Sequence, residues 1–374
     1  MTPVTPPPPV FAWLQALRDP ALTLNWSLVR WEYVIRLARR LRLLGRLAER
    51  VEQAGLTAQV PAPAARHLVA EMRLSRSRTA AMKWVLERVD TALGDAPYSR
   101  VLLKGAAYVA QELPIAPGRL PSDVDILIPL QHLADAQSRL LRSGWAETEM
   151  DAHDQRYYRE WSHELPPMRH PMHALELDVH HNILPPVARI HVDAAPLIAR
   201  LQASHLPRWQ VLHPVDQTLH SAAHLFTDSE PRDRLRDLVD LDGLMRHFGR
   251  DAAYWSELPA RARELGLSEP LALALHFVER WLQTPVPDVV RKSAQESGPS
   301  ASSRFWLHPM LASALTPAEP DGGTRVWQDL AAQGLLVRYH YLRMPLRLLL
   351  PHIWHKAVVR RLSTRSRLDP DKPV

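Results

Sequence analysis

Cysteine is absent from the 374 residues of this sequence. Its absence excludes disulfide bonds, cysteine-ligated zinc and iron–sulfur clusters, and it is typical of proteins from a reducing compartment. Residues 1–10 lack the charged and apolar regions of a signal peptide, and no apolar run approaches the length of a membrane span. We therefore expect a cytoplasmic protein.

Lysine is scarce, because nearly all of the 46 basic residues are arginines. The lysines are Lys83, Lys104, Lys292, Lys356 and Lys372. The net charge of +6 and the isoelectric point near 9.8 favour an anionic partner, although the basic residues are spread through the chain. With 46% hydrophobic and 23% charged residues, the composition predicts a globular protein with a substantial core.

One central stretch combines several features that carry chemistry. The pattern predicts a short strand, a tight turn, a helix, a loop and a second strand. In order, these are residues 101–103, the turn at Lys104 and Gly105, residues 106–113, the Pro/Gly loop and residues 124–129. The turn at Gly105 allows the backbone to approach an anion, and Lys104 adds a positive charge beside it. We therefore predict a phosphate site at this turn.

Two carboxylates open the second strand of that stretch. Asp123 and Asp125 alternate with Val124 and Ile126. Because side chains alternate between the faces of a strand, both carboxylates lie on one face while the apolar pair enters the core. Oxygen ligands at this spacing suit a hard divalent cation such as Mg²⁺.

A third strand carries further acidic side chains. Residues 174–180 alternate with a period of two. Glu176, Asp178 and His180 share one face of this strand.

These motifs resemble those of a known superfamily. Gly105 after a strand, followed by Ser122-Asp123-Val124-Asp125 on the next strand, is similar to the signature of the DNA-polymerase-β-like nucleotidyltransferases. Two segments are more specific: Leu-Leu-Lys-Gly-Ala-Ala and Arg-x-x-Ser-Asp-Val-Asp-Ile-Leu-Ile. They resemble segments of a bacterial branch of this superfamily, the nucleotidyltransferase family proteins. Ala106 departs from the superfamily pattern, which commonly has Gly or Ser there.

The resemblance implies a metal-dependent transfer of a nucleoside monophosphate from a nucleoside triphosphate to an acceptor, with release of pyrophosphate. It implies that Asp178, with Glu176 as the second choice, joins Asp123 and Asp125 in a two-metal Mg²⁺ site. The phosphates are expected to lie against Lys104, Gly105, Arg119 and Ser122.

The predicted fold class is α+β, with a small mixed β-sheet nucleotidyltransferase core flanked by N-terminal and C-terminal helical subdomains. Two long helices are expected in the N-terminal part, one between Asn25 and Gly55 and one over residues 64–93. Residues 292–303 have the composition of a flexible linker. The predicted regions are an N-terminal helical region (1–95), the catalytic core (96–213), a helical subdomain (214–290), a linker-rich region (291–325) and a basic, apolar helical segment (326–374).

Several alternatives stay open at this point. The arginines between Arg36 and Arg50 are either a nucleic-acid-binding face or, as we favour, a solvated helix face. The basic C-terminal segment either packs on the body, as we favour, or lies on a membrane surface. His220 and His224 have the spacing of a zinc site, but no third ligand is evident.

The acceptor is not encoded in any motif, and we favour a small molecule or peptide over nucleic acid. Two other functions remain possible in principle: a nucleotide-binding or partner-binding module without turnover, and a scaffold at a membrane-associated complex.

Overall fold

A computed structural model describes residues 8–228, 230–318 and 326–354. Helices predominate in these residues, and they surround one mixed β-sheet, so the predicted α+β class is confirmed. The helices are α1 Pro8–Arg18, α2 Leu28–Arg40, α3 Leu44–Gln53, α4 Ala62–Leu93, α5 Lys104–Ala110, α6 Leu133–Arg142, α7 Ala152–Glu160, α8 Ala195–Ile198, α9 Pro214–Ala223, α10 Leu235–Phe248, α11 Ala252–Glu264, α12 Ser268–Leu282, α13 Asp288–Ser297, α14 Ala301–Leu315, α15 Val326–Arg343 and α16 Leu346–Trp354.

The sheet has seven strands, most of them only two residues long. The strands are β1 Val101–Leu102, β2 Asp123–Leu127, β3 Ala146–Glu147, β4 Met168–Arg169, β5 Glu176–His180, β6 Gln202–Ala203 and β7 Gln210–Val211. They are arranged in the order β3-β4-β5-β2-β1-β7-β6. The two five-residue strands, β2 and β5, therefore lie side by side near the middle.

The register of β2 against β5 positions the acidic residues. The two strands are parallel, and Asp125 of β2 lies opposite Asp178 of β5. Paired residues of neighbouring strands point to the same face, so these carboxylates share one surface of the sheet. On the other surface, Val124 and Leu177 are fully buried among the apolar side chains of α4, α5 and α6.

Two large apolar cores support this arrangement. One lies between the sheet and the C-terminal half of α4, with α5 and α6. The other is almost entirely helical and joins α1, α2 and α3 to α9, α10, α11 and α12. Helix α4 packs against α2 and α3 on one side and against β2 and α6 on the other, so it links the two cores.

The structure corrects two predictions about local structure. The continuous helix expected between Asn25 and Gly55 is broken into α2 and α3, because Arg42 has a left-handed backbone with φ of 55°. Ser27, rather than Asn25, caps α2 through a hydrogen bond from the Arg30 N–H.

The flexible linker expected at residues 292–303 is also wrong. Helix α13 covers the first part of this stretch and α14 begins at Ala301, with Ser300 as its cap. Val290 and Ala294 of α13 are buried in the helical core. The domain boundaries proposed from the sequence stay predictions, and residues 355–374 of the predicted C-terminal segment lie outside the described residues.

Candidate functional site

Three carboxylates from β2 and β5 line the floor of one cleft: Asp123, Asp125 and Asp178. The parallel pairing of the strands brings Asp178 beside the Asp pair, as the family resemblance implied. Glu176, the second choice for the third carboxylate, is not in this cleft. Its Oε1 lies 2.6 Å from Arg169 Nε of the neighbouring strand β4, where the Arg169 side chain is largely exposed and the Glu176 side chain is partly exposed.

Lys104 and Gly105 form the first turn of α5, directly beside this floor. Lys104 has a φ of 44°, and its Nζ donates a hydrogen bond to Asp125 Oδ1 at 2.9 Å. Gly105 faces the guanidinium of Arg119, and a Cβ built at Gly105 would lie 3.0 Å from Arg119 Cζ. Only glycine fits here without displacing the arginine.

The other two predicted phosphate ligands also lie in the cleft, and both already have partners. Arg119 Nε donates to Asp240 Oδ2 at 3.0 Å, and its guanidinium lies 5.7 Å from the centre of the Tyr108 ring. Ser122 Oγ donates to Asp123 Oδ1 at 3.2 Å. Arg119 therefore braces the turn at Gly105; its contact with phosphate stays a prediction.

The electrostatics of the floor differ from one carboxylate to the next. Burial favours the neutral form of Asp125, but the charge of Lys104 and a hydrogen bond from His180 outweigh burial and hold the pKa well below its ordinary value. Burial, with the negative charges of Asp125 and Glu164, raises the pKa of Asp178 to about 7. The floor thus holds more negative charge than Lys104 neutralises.

A histidine and glutamate group adjoins the floor at the end of β5. His180 Nε2 lies 3.1 Å from Asp125 Oδ1, and His180 Nδ1 lies 3.4 Å from Glu164 Oε2. His163 completes the group. His180 was visible in the sequence on the same strand face as Asp178. Glu164 and His163 were missed, because they precede β4 in a segment whose pairing with β5 leaves no pattern in the sequence.

Arginines from several parts of the chain line the same cleft and form its arginine wall. Arg236 is mostly buried, and its Nη1 has no hydrogen-bond partner among the described residues, although Nε lies 3.3 Å from Asp237. The arginines lining the cleft besides Arg119 are Arg40, Arg42, Arg232, Arg234, Arg236 and Arg343. Sequence reasoning missed those at 232–236, which stand outside any strand or glycine motif.

The cleft has a volume of about 810 Å³, with an acidic floor and a basic wall. This volume lies within the usual range for small-molecule and cofactor sites. Side chains from α15, including Leu336 and Tyr339, close one side.

Residues 27–283 match the family model described as "Uncharacterised nucleotidyltransferase". The match covers about two thirds of the 374 residues. The chain belongs to this nucleotidyltransferase family. The resemblance drawn from the central motif is thereby confirmed. No curated protein and no solved structure matches the chain.

The part of the chain matched by the nucleotidyltransferase family extends from α2 to α12. It includes all three floor carboxylates and the arginines at 232–236. Helices α13 to α16 lie beyond it, so the wall formed by α15 is an addition to the matched region. Nucleotidyltransferases commonly use divalent metals and nucleoside triphosphates.

The zinc alternative at His220 and His224 gains no support. Within the described residues, these histidines belong to no group of three potential metal ligands. Burial lowers the pKa of His220 to about 3, so it is a neutral side chain of the helical core.

Some arginines of α2 and α3 contact distant parts of the chain. Arg46 is buried and donates to the backbone oxygens of Pro114 and Pro117, at 3.1 Å and 3.2 Å, and also to the oxygen of Ile115. Arg40 pairs with Asp233 at 2.8 Å. At the other end of the chain, Arg338 of α15 donates to the Phe226 carbonyl at 2.7 Å, which ties α15 to the body. None of the described helices is long and apolar enough to cross a membrane.

Proposed function

We propose that the protein transfers a nucleoside monophosphate from a nucleoside triphosphate to an acceptor nucleophile, with release of pyrophosphate. The observation that carries this proposal is the pairing of Asp125 with Asp178 on adjacent parallel strands, below a wall of arginines. Membership of the nucleotidyltransferase family supports the general reaction.

Asp123, Asp125 and Asp178 would hold Mg²⁺ in the proposed site. The fit is supported by the raised pKa of Asp178, which results from burial and from neighbouring negative charges that a divalent cation would neutralise. When bound, Mg²⁺ would screen the charge of the triphosphate and orient it for in-line attack.

Lys104 has a distinct part in this proposal. Its Nζ neutralises Asp125 in the absence of metal. A cation on Asp125 would replace that charge, and Lys104 would then be available for a phosphate oxygen beside Gly105. Ser122 and Arg119 are proposed to support the same phosphates.

The arginine wall extends the proposed phosphate site. Arg236 offers a buried Nη1 without a hydrogen-bond partner among the described residues. A buried guanidinium nitrogen without a hydrogen-bond partner is stabilised by an acceptor such as a phosphate oxygen. We propose that Arg236, with Arg234, contacts the departing pyrophosphate.

Asp178 is proposed to accept the proton of the acceptor. The attacking oxygen forms a bond to the α-phosphorus while its proton moves to the Asp178 carboxylate, and the bond from the α-phosphorus to the pyrophosphate oxygen breaks. The negative charges of its neighbours Asp125 and Glu164 favour uptake of a proton by this carboxylate. The size of the cleft favours a small molecule or a peptide side chain as acceptor.

Calorimetric titration tests the proposal. ATP, GTP, CTP and UTP are titrated with Mg²⁺ into the wild type, the Asp123→Asn/Asp125→Asn double variant and Glu176→Gln. We expect at least one nucleotide to bind the wild type and Glu176→Gln, and binding to be lost in the double variant. Glu176→Gln is the matched control, because this carboxylate lies on the same strand face but pairs with Arg169.

The outcomes separate the competing functions. Metal-dependent binding together with pyrophosphate release on an acceptor screen supports the transferase. Binding without release under any acceptor favours a binding module. Equal nucleotide binding by the wild type and the double variant would show that Asp123 and Asp125 are not part of the nucleotide site.

A further inference from the structure

We propose that His163, Glu164 and His180 form a second metal site, specific for a transition metal such as Zn²⁺ or Mn²⁺. This inference goes beyond nucleotidyl transfer and does not require it. The potential ligand atoms of the three side chains all lie within 4.8 Å of one another. Ligand atoms of one ion are at most about 4.4 Å apart, since each metal–ligand bond measures about 2.0–2.2 Å, so small side-chain adjustments would bring the three groups onto one ion.

The backbone holds the three residues together. The segment around Glu164 runs antiparallel to the end of β5 and forms an isolated bridge with His180. His181 N donates to the His163 oxygen at 2.8 Å, and Leu165 N donates to the Val179 oxygen at 2.9 Å. These bonds fix both sides of the site before any ion arrives, which reduces the entropic cost of binding.

Asp125 sets the orientation of the His180 ring. The carboxylate Oδ1 lies 3.1 Å from His180 Nε2, so this nitrogen carries the hydrogen that is donated to Asp125. Nδ1 lies 3.4 Å from Glu164 Oε2 and makes no hydrogen bond with any described residue, and in the neutral ring it would offer its lone pair to an ion. A metal-binding histidine usually donates its second nitrogen to a carboxylate in this way.

The chemistry of the donors selects the type of ion. Two imidazole nitrogens and one carboxylate oxygen suit Zn²⁺, Mn²⁺ or Fe²⁺, whereas Mg²⁺ prefers oxygen ligands alone. His163 and His180 are only 4% and 2% exposed, while the Glu164 side chain is 19% exposed towards the cleft. The site therefore has a buried side and an open position on the cleft.

Asp125 would connect the two proposed metal sites. Asp125 lies on the floor with Asp123 and Asp178 and also receives the hydrogen bond from His180. Binding at the histidine site would hold Asp125 in its present orientation. The second ion would thus have a positioning role for the carboxylate floor.

Metal titration of the full-length protein tests this site without any activity assay. The chelator-treated protein is titrated with Co²⁺, whose visible spectrum reports its ligands, and then with Zn²⁺ in competition. The variants are His163→Ala, Glu164→Gln and Asp123→Asn. We expect the wild type to bind one Co²⁺ or Zn²⁺ per chain at this site, with imidazole ligands visible in its X-ray absorption spectrum. The affinity for the ion should fall by about 100-fold or more in His163→Ala and Glu164→Gln.

The controls distinguish this site from the carboxylate floor. Asp123→Asn should keep the Co²⁺ spectrum, even where it loses nucleotide binding, because Asp123 is not a member of the histidine group. Glu164→Gln keeps the size of a partly exposed side chain, so it remains informative if His163→Ala fails to fold by circular dichroism. The proposal would be overturned if the wild type bound none of Co²⁺, Zn²⁺ and Mn²⁺. It would also be overturned if His163→Ala and Glu164→Gln bound these ions as tightly as the wild type. His180 would then be a protonated bridge between Asp125 and Glu164.

Discussion

At the scale of single residues, the surroundings of Asp178 in the acidic floor disfavour its ionisation. In an unfolded chain the pKa of an aspartate is about 3.9. Burial, followed by the charges of Asp125 and Glu164, raises the pKa of Asp178 to about 7 in the folded protein. The folded state therefore binds this proton more tightly, and its stability falls as the pH rises from about 4 to about 7.

Asp178→Asn should remove this cost. In EDTA at pH 8 we expect the free energy of unfolding to exceed that of the wild type by about 1–3 kcal/mol, and we expect a smaller excess at pH 5, where only part of the pH-dependent loss has occurred. Urea denaturation at both pH values measures the difference, with Glu176→Gln as the control. A gain of the same size at both pH values would show that the raised pKa is not its source.

The residues of the floor were predictable from the sequence and those beside it were not. The common face of Asp123 and Asp125 follows from side-chain alternation, whereas the place of Asp178 beside them was implied by the family resemblance and results from the register of β2 against β5. Glu164 and His163 reach the site through a tertiary backbone bridge. Residues 157–163 showed only weak alternation in the sequence, and most of them belong to α7 and the turn that follows it.

At the scale of elements, the junction between α2 and α3 places a residue with a strained backbone in the lining of the cleft. Arg42, in the left-handed region at the junction, lines the cleft and forms no ion pair within the described residues. A non-glycine residue in this conformation costs about 1–2 kcal/mol, and glycine avoids that strain but loses about 0.5–1 kcal/mol through the flexibility of the unfolded chain.

Arg42→Gly should stabilise the fold and weaken the site. We expect the free energy of unfolding to rise by about 0.5 kcal/mol, while affinity for a nucleoside triphosphate falls because one guanidinium leaves the cleft. Chemical denaturation and calorimetry measure the two effects.

Two other variants separate strain from charge. Arg42→Lys keeps a positive charge and the strain. Gly55→Ala, at a φ of 67° with open space around its Cβ position, should destabilise by conformation alone. Reduced stability in Arg42→Gly would contradict the assignment of strain to this junction.

Helices were predicted correctly where burial and composition agree. Helix α4 ends at the predicted residue and begins two residues before the predicted start. The break at Arg42 was missed because the apolar stripe continues from Leu41 to Leu44 on both sides of it. The linker was predicted from Ser and Gly content, whereas packing against α12 determines that α13 is helical.

At the scale of the whole molecule, Asp240 of α10 connects distant parts of the chain. Its Oδ2 accepts from Arg119 at 3.0 Å, and its Oδ1 lies 3.5 Å from Arg46 Nη2 of α3. All three side chains are at most 10% exposed. Removing one member of such a network leaves buried charge without a partner, which costs about 3–5 kcal/mol.

Asp240→Ala should therefore destabilise the protein by about 3–5 kcal/mol, and Asp240→Asn by less, since the amide oxygen still accepts hydrogen bonds. Thermal and denaturant unfolding measure the loss. Glu52→Ala is the control: Glu52 pairs with Arg76 on the surface, with side chains 48% and 63% exposed, so its removal should cost less than about 1 kcal/mol. Similar losses for Asp240→Ala and Glu52→Ala would show that the buried network contributes little.

The overall class was predictable, but the arrangement of the sheet was not. Strands β3, β4, β6 and β7 are two residues long and carry too few side chains to show a period. The buried ion pairs of Arg46 and Arg119 with Asp240 were equally hidden, since the partners lie in separate regions of the sequence.

The parallel pairing of β2 and β5 also determines when, during synthesis, the acidic floor is complete. Antiparallel neighbours can be joined by a tight hairpin, but parallel neighbours need a long crossover, here residues 128–175. Asp123 and Asp125 are synthesised before this crossover and Asp178 after it, so the acidic floor is complete only when β5 has been added and has paired with β2.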